Sequence, residues 1–303
     1  MSSPRRRGSS GETLYGVVRV PRPKLAFYMP ELPEVETIRR QMQKALVGRK
    51  IVSVKVNFAG RLNVSATEFM RRTSGAKIIT AGRRAKLLLL GLSNGETVVA
   101  HLKMTGKFLL VPVATVPTKH DHVIFALSGG KKLFFRDVRK FGYLKLIKTA
   151  QLETEIFDKE GYGPEPLDPS FTAKKFAMCL RGSGAGRIKP RIMAQTCIAG
   201  VGNIYADESL WLSRIRPDRR VASLKDAEIS ALFRAIQGSL KLSVRLGGTS
   251  SDDYLDLHGK KGKNGMKLKV YGRGGKPCPR CRIPIKKVRF AGRGTHFCTK
   301  CQK

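Results

Sequence analysis

From Glu31 to Val47 the apolar positions Leu32, Val35, Ile38, Met42, Ala45 and Leu46 recur at helical spacing. Pro33 is tolerated in a first turn and Gly48 supplies a stop, so the segment predicts an amphipathic helix. The period then changes. Between Lys50 and about Lys148 the apolar residues fall into short β-rich runs, at 51–58, 77–80, 86–92, 97–102, 108–113, 122–127, 132–135 and 143–147, broken by Gly, Asn and Pro. Runs of this kind with turn signals between them predict a sandwich or barrel. The stretch from Gly161 to Pro169 is too rich in Pro and Gly for a regular element and predicts a linker. Helical patterns return at 172–181, 188–196, 204–213 and 225–246, and a cysteine-bearing module closes the chain. The expected fold class is α+β multidomain: a β-sandwich with a leading helix over 29–160, a linker over 161–171, a helical domain over 172–276 and a small hairpin module over 277–303. No internal repeat is visible.

Composition adds the class of partner. There are 59 Lys+Arg against 22 Asp+Glu in 303 residues, a formal net charge of +37. A field of that strength points to a polyanion, nucleic acid first, although a solvated basic surface would carry the same count. At 41% hydrophobic the chain has ample core. No apolar run reaches the roughly 18 residues needed to span a bilayer, so no membrane partner is expected. Residues 1–28 stand apart, with Arg5, Arg6, Arg7, Arg19, Arg22 and Lys24 against the single acid Glu12. They lack the apolar core of a secretory signal. The expectation is a disordered or spurious extension from a start codon placed too early, with an organelle transit peptide ranked lower.

The strongest local signal is Cys278-x2-Cys281-x16-Cys298-x2-Cys301. Two CxxC pairs at this separation can set four thiolates at the corners of a tetrahedron, the geometry of structural Zn²⁺, with no open position for substrate. Cys179 and Cys197 fall in helical patterns and are read as buried small hydrophobes. Between the pairs, 288–297 reads as a β-hairpin with Gly292 and Gly294 at its tip, presenting Arg293 to an anion. In Gly200-Val201-Gly202-Asn203-Ile204-Tyr205-Ala206-Asp207-Glu208 two glycines turn the chain, and Asn203 is placed to cap the next helix. That would leave backbone N–H groups free for an anion.

Taken together, the motifs resemble formamidopyrimidine-DNA glycosylases. The run Pro30-Glu31-Leu32-Pro33-Glu34-Val35-Glu36-Thr37 matches the start of that family, in its oxidised-purine branch. Arg83-Arg84-Ala85-Lys86, His101-Leu102-Lys103-Met104-Thr105-Gly106, Lys119-His120-Asp121-His122, Asp137-Val138-Arg139-Lys140-Phe141-Gly142, the GVGNIYADE run and the zinc ribbon follow in the family's order. The resemblance implies a helix–two-turns–helix DNA-binding domain and a bifunctional glycosylase and abasic-site lyase acting on oxidised purines. Its partner would be double-stranded DNA containing oxidised bases or abasic sites. Pro30 would be the nucleophile, Glu31 the general acid/base, and Lys86 and Arg293 the grip on the flanking phosphates. Asn203, Lys189 and His120 would contact DNA, while Met104, Arg139 and Phe141 would fill the void left by the extruded nucleotide. One structural Zn²⁺ would sit on the four cysteines. A monomer in the bacterial cytoplasm, on the nucleoid through DNA, is the corresponding expectation.

Some features depart from the family pattern. Lys103 stands where glycine is common, Val138 replaces a proline, and 182–187 lacks an expected basic segment. The loop at 259–265 is unusually rich in Lys and Gly. More seriously, Pro30 is internal, and a proline nitrogen inside a chain is a tertiary amide with no nucleophilic lone pair. A catalytically silent DNA-binding protein is the alternative if the extension is retained. An endonuclease VIII-like preference for oxidised pyrimidines is a second alternative, disfavoured by the opening motif.

Overall fold

The computed structural model describes residues 29–182, 186–250 and 253–303. The expected extension at 1–28 and part of the segment before Ile188 lie outside the described residues. Helix α1 spans Leu32–Ala45 and buries Leu32, Val35, Ile38 and Met42 along one stripe. Its first turn is closed by a capping box in which the Glu31 N–H donates to Glu34 Oε2 at 2.9 Å.

The strands are β1 (Ile51–Val56), β2 (Ile78–Arg84), β3 (Leu87–Leu92), β4 (Glu96–His101), β5 (Gly106–Pro112), β6 (Asp121–Leu127), β7 (Lys131–Asp137) and β8 (Tyr143–Lys148). They make two antiparallel four-stranded sheets, ordered β1-β6-β7-β5 and β2-β3-β4-β8, and so a sandwich. Alternation decides which side chains meet between the sheets. Val123, Phe125, Leu133 and Phe135 join the main core, whereas Ile124 and Phe134 form a small cluster on the other face. A helix that the periodicity did not reveal, α2 (Ala66–Thr73), follows β1. Ser65 caps it by accepting the Glu68 N–H at 3.1 Å, and Ser65-x-x-Glu68 was the available signal.

Helical turns over 149–160 end in α3 (Asp158–Glu160), and α4 (Ala173–Arg181), α5 (Ile188–Met193), α6 (Asn203–Leu212) and α7 (Asp226–Arg245) build the second half. Helix α5 stops before 196, so Cys197 lies in a loop and touches Cys179 of α4 through sulfur, the Cα atoms 5.6 Å apart. Cys197 is fully buried in the main core and Cys179 packs against it, so the two are neighbours there. Phe171, Phe176 and Phe233 pack ring to ring, the last 5.5 Å from each of the others, and pin α4 to α7. One continuous apolar core runs from the sandwich into these helices, with α1 between them. β9 (Lys286–Phe290) and β10 (Arg293–Phe297) form the terminal hairpin. Its turn is Ala291-Gly292, both at positive φ, so Gly294 lies on β10 and not at the tip. Among the described residues no helix is long and apolar enough to cross a membrane.

Candidate active site and nucleic-acid interface

Pro30 is buried at the head of α1, directly before a carboxylate that the fold treats as an anion ligand. Glu31 is 3% exposed. Its Oε2 accepts the Gly202 N–H at 2.7 Å and its Oε1 the Ile204 N–H at 3.0 Å. The anion site at the N-terminus of α6 is thus occupied by the protein's own acid. Asn203 does not cap this helix. Gly202 is its N-cap, and Asn203 Nδ2 instead donates to the Gly294 carbonyl of β10 at 2.9 Å.

Steric contact explains the glycines. A Cβ on Gly202 would stand 2.4 Å from Glu31 Cδ, and one on Gly200, which is at φ +85°, would meet Leu32 at 2.7 Å. The Gly200 carbonyl in turn accepts the Leu32 N–H at 3.1 Å.

Burial pushes the Glu31 carboxyl up to about 7, against the pull of Lys86 and the two N–H groups, while Glu34 adds to the rise. Lys86 is 7% exposed, and burial holds its ammonium below the ordinary lysine value. Glu31 opposes that shift, and the charge of Arg293 reinforces it from the hairpin. Three candidate residues from distant parts of the chain therefore share one electrostatic neighbourhood. Beside them burial brings His101 down to about 3, and its Nδ1 accepts the Lys103 N–H at 2.9 Å. Lys103 holds φ +52°, a conformation that favours glycine and accounts for the usual residue there.

Lys189 departs from its expected surface role. It is 1% exposed, with Nζ 2.6 Å from Asp207 Oδ1 and donating to Thr295 Oγ1 at 2.7 Å. Asp207 Oδ2 accepts the His296 N–H at 2.8 Å. The Lys189–Asp207 pair therefore rivets α5 and α6 to β10, the strand that opens with Arg293, and Lys189 does not reach a ligand at the surface.

The remaining candidates lie on loops of the sandwich. Met104 is half-buried between β4 and β5, and Phe141 is 42% exposed between β7 and β8, with the Arg139 guanidinium 4.7 Å over its ring. His120 is half-buried on the loop entering β6. The four cysteine sulfurs of the hairpin module lie within 4.8 Å of one another. Tetrahedral thiolates around zinc stand about 3.8 Å apart, given Zn–S bonds of about 2.3 Å, so the cluster fits the ion.

Sequence reasoning missed Glu34, Tyr205 and Asp207. Glu34 is fully buried, and its Oε1 accepts the Tyr205 hydroxyl at 2.6 Å and the Thr249 N–H at 2.7 Å. It links the head of α1 to α6 and to the loop after α7. The only signal was a charged residue on the apolar side of α1.

Comparison with known proteins matches the chain in three successive parts. The formamidopyrimidine-DNA glycosylase N-terminal domain profile matches residues 29–144, the H2TH domain profile of the same enzymes 162–254, and the zinc finger found in FPG and IleRS 275–303. The chain is 41% identical to a formamidopyrimidine-DNA glycosylase of Streptococcus mutans over 275 residues, covering 91% of this chain and 100% of the relative. It is 44% identical over 276 residues to one of Pelotomaculum thermopropionicum, covering 91% and 99%. A Lactococcus lactis Fpg bound to abasic-site DNA superposes with a TM-score of 0.85 at 38% identity, covering 90% of this chain and 99% of that one. A mutant of the same enzyme with Fapy-dG DNA gives 0.85 at 38%, covering 90% and 100%.

Proposed function

The chain belongs to the formamidopyrimidine-DNA glycosylase family, and on that premise we propose how its own residues perform excision. It is a DNA glycosylase that removes oxidised purines from double-stranded DNA in base excision repair, and a lyase at the abasic site that results. One structural Zn²⁺ is held by Cys278, Cys281, Cys298 and Cys301.

The Pro30 nitrogen, once it is a free secondary amine, attacks C1′ of the damaged nucleoside. The bond from C1′ to the base breaks, and the base departs with the bonding pair and takes up the proton that the Pro30 nitrogen gives up. Glu31 in its acid form gives its proton to the sugar ring oxygen, which opens the ring and leaves an iminium between Pro30 and C1′. Returned to the carboxylate, it accepts protons in the eliminations that expel the 3′ and then the 5′ phosphate. Lys86 and Arg293 grip those phosphates, and Met104, Arg139 and Phe141 fill the emptied stack. Asn203, tied to the Gly294 carbonyl, keeps the hairpin over the backbone.

The observation that carries this reading is the setting of Glu31. It adjoins the nucleophile, and burial holds its carboxyl near 7, where one group can both give and take a proton. The attack requires that the bond from Met29 to Pro30 be absent, because an amide nitrogen has no free lone pair.

Borohydride reduction with duplex containing 8-oxoguanine tests the proposal, using protein whose mature N-terminus has been read by mass spectrometry. Protein beginning at Pro30 gives a covalent adduct that Pro30→Gly and Glu31→Gln diminish. No adduct from such protein, or one indifferent to both substitutions, rejects the assignment.

A further inference from the structure

Asp137 ends β7 and is completely buried. It makes a concentrated set of contacts to loops. Oδ1 accepts the Thr105 hydroxyl and the Arg139 N–H, the latter at 3.1 Å, and Oδ2 accepts the Gly142 N–H at 2.7 Å. Thr105 Oγ1 also accepts the Arg139 N–H at 3.1 Å, so the hydroxyl and the carboxylate clamp one amide between them. The Asp137 backbone continues the pattern. Its N–H donates to the His120 carbonyl at 3.0 Å, and its carbonyl lies 2.6 Å from His122 Nε2.

Three loops are thereby fastened to one residue, and they carry Met104, Arg139 with Phe141, and His120. The turn leaves no slack on its inner side. Lys140 is at φ +57°, and a Cβ on Gly142 would stand 3.1 Å from Asp137 Oδ2. On the outer side Phe141 is exposed, with the Arg139 guanidinium against its ring.

We propose that Asp137 is a positioning residue for lesion extrusion, fixing the spacing of the Met104 and Arg139–Phe141 loops so that both enter the duplex as one wedge. This rests on the reading that those three side chains fill the void. A carboxylate suits the task because its two oxygens accept and together take all three donors at once. An asparagine of the same shape turns a donor toward a donor, loosening one loop while leaving the Pro30–Glu31 centre untouched.

The test compares Asp137→Asn and Thr105→Val with the unaltered enzyme under single-turnover conditions. The substrates are duplex containing 8-oxoguanine and duplex containing a preformed abasic site, with 2-aminopurine beside the lesion reporting unstacking. Release of the base falls about ten- to a hundred-fold in Asp137→Asn, the loss expected on breaking a hydrogen bond to a buried charged group. The fluorescence rise slows in parallel, and cleavage at the abasic site, where no base must be drawn out, stays within about threefold of the unaltered rate. Thr105→Val shows the same pattern more weakly and carries the test if Asp137→Asn does not fold. Unchanged release in both variants, or equal loss on both substrates, overturns the inference. Met104→Ala with Phe141→Ala separates the two levels. If that pair leaves release unchanged, the wedge reading fails and the inference with it. If it slows release while the Asp137 and Thr105 variants do not, only the inference fails.

Discussion

Glu31 and Gly202 stand 2.7 Å apart, carboxylate oxygen to amide nitrogen, and join the head of α1 to the N-terminus of α6 across 171 positions of sequence. The contact sets the angle of the residue beside Pro30, and it is possible only because position 202 has no side chain.

Gly202→Ala therefore displaces the Glu31 side chain. Overpacking of this kind costs about 1–3 kcal/mol. Single-turnover formation of the borohydride-trapped adduct is expected to fall at least about tenfold, with a lowered midpoint in thermal unfolding. Unaltered adduct formation with intact stability would show that Glu31 does not depend on this cradle.

The raised Glu31 carboxyl gives two pH predictions. As the proton donor for ring opening it loses its acid form above about pH 7, so single-turnover formation of the borohydride-trapped adduct declines as pH rises beyond that point. Stability moves in the same direction. The folded state holds this proton up to about 7 and the unfolded chain only to about 4.5, so the folded protein binds more protons in that window and stability falls as pH rises through it. Glu31→Gln removes both dependences. Denaturant unfolding at pH 5, 6 and 7.5 reads the second, and equal pH slopes in both proteins would refute it.

The Lys189–Asp207 pair is sealed from water, so removing one partner leaves an unpaired buried charge. Lys189→Met is expected to cost about 3–5 kcal/mol, and pairing it with Asp207→Leu to recover much of that. Urea titrations of the single and double variants measure the difference. A loss below about 1 kcal/mol in the single variant would mean that water reaches the pair.

Stripping the metal with a chelator is expected to release one Zn²⁺ per chain and to abolish duplex binding, because β10 carries Arg293 and the Gly294 carbonyl that Asn203 holds. The sandwich has its own core and should keep its far-UV signature. Full duplex affinity without zinc would detach the hairpin from recognition.

Much of this protein was readable along the chain. Period-2 and period-3.6 patterning located the strands of both sheets and the long helices, because each element buries one face and the spacing of apolar residues records which. The cysteine spacing likewise announced a metal cluster, since four ligands close in sequence need little help from the rest of the fold. Other features were invisible there. Asn203 reads as a helix cap, yet Glu31 takes the N–H groups instead and Asn203 turns to β10. Lys189 is a DNA contact by resemblance, yet the packing of α5, α6 and β10 buries it against Asp207. Sequence alone determined the strands, the long helices and the inventory of reactive groups, because local propensity and periodicity are properties of neighbours. Only the tertiary structure decided which acid lies at the helix terminus and which lysine is sealed inside, because partners and desolvation come from segments far apart in the chain.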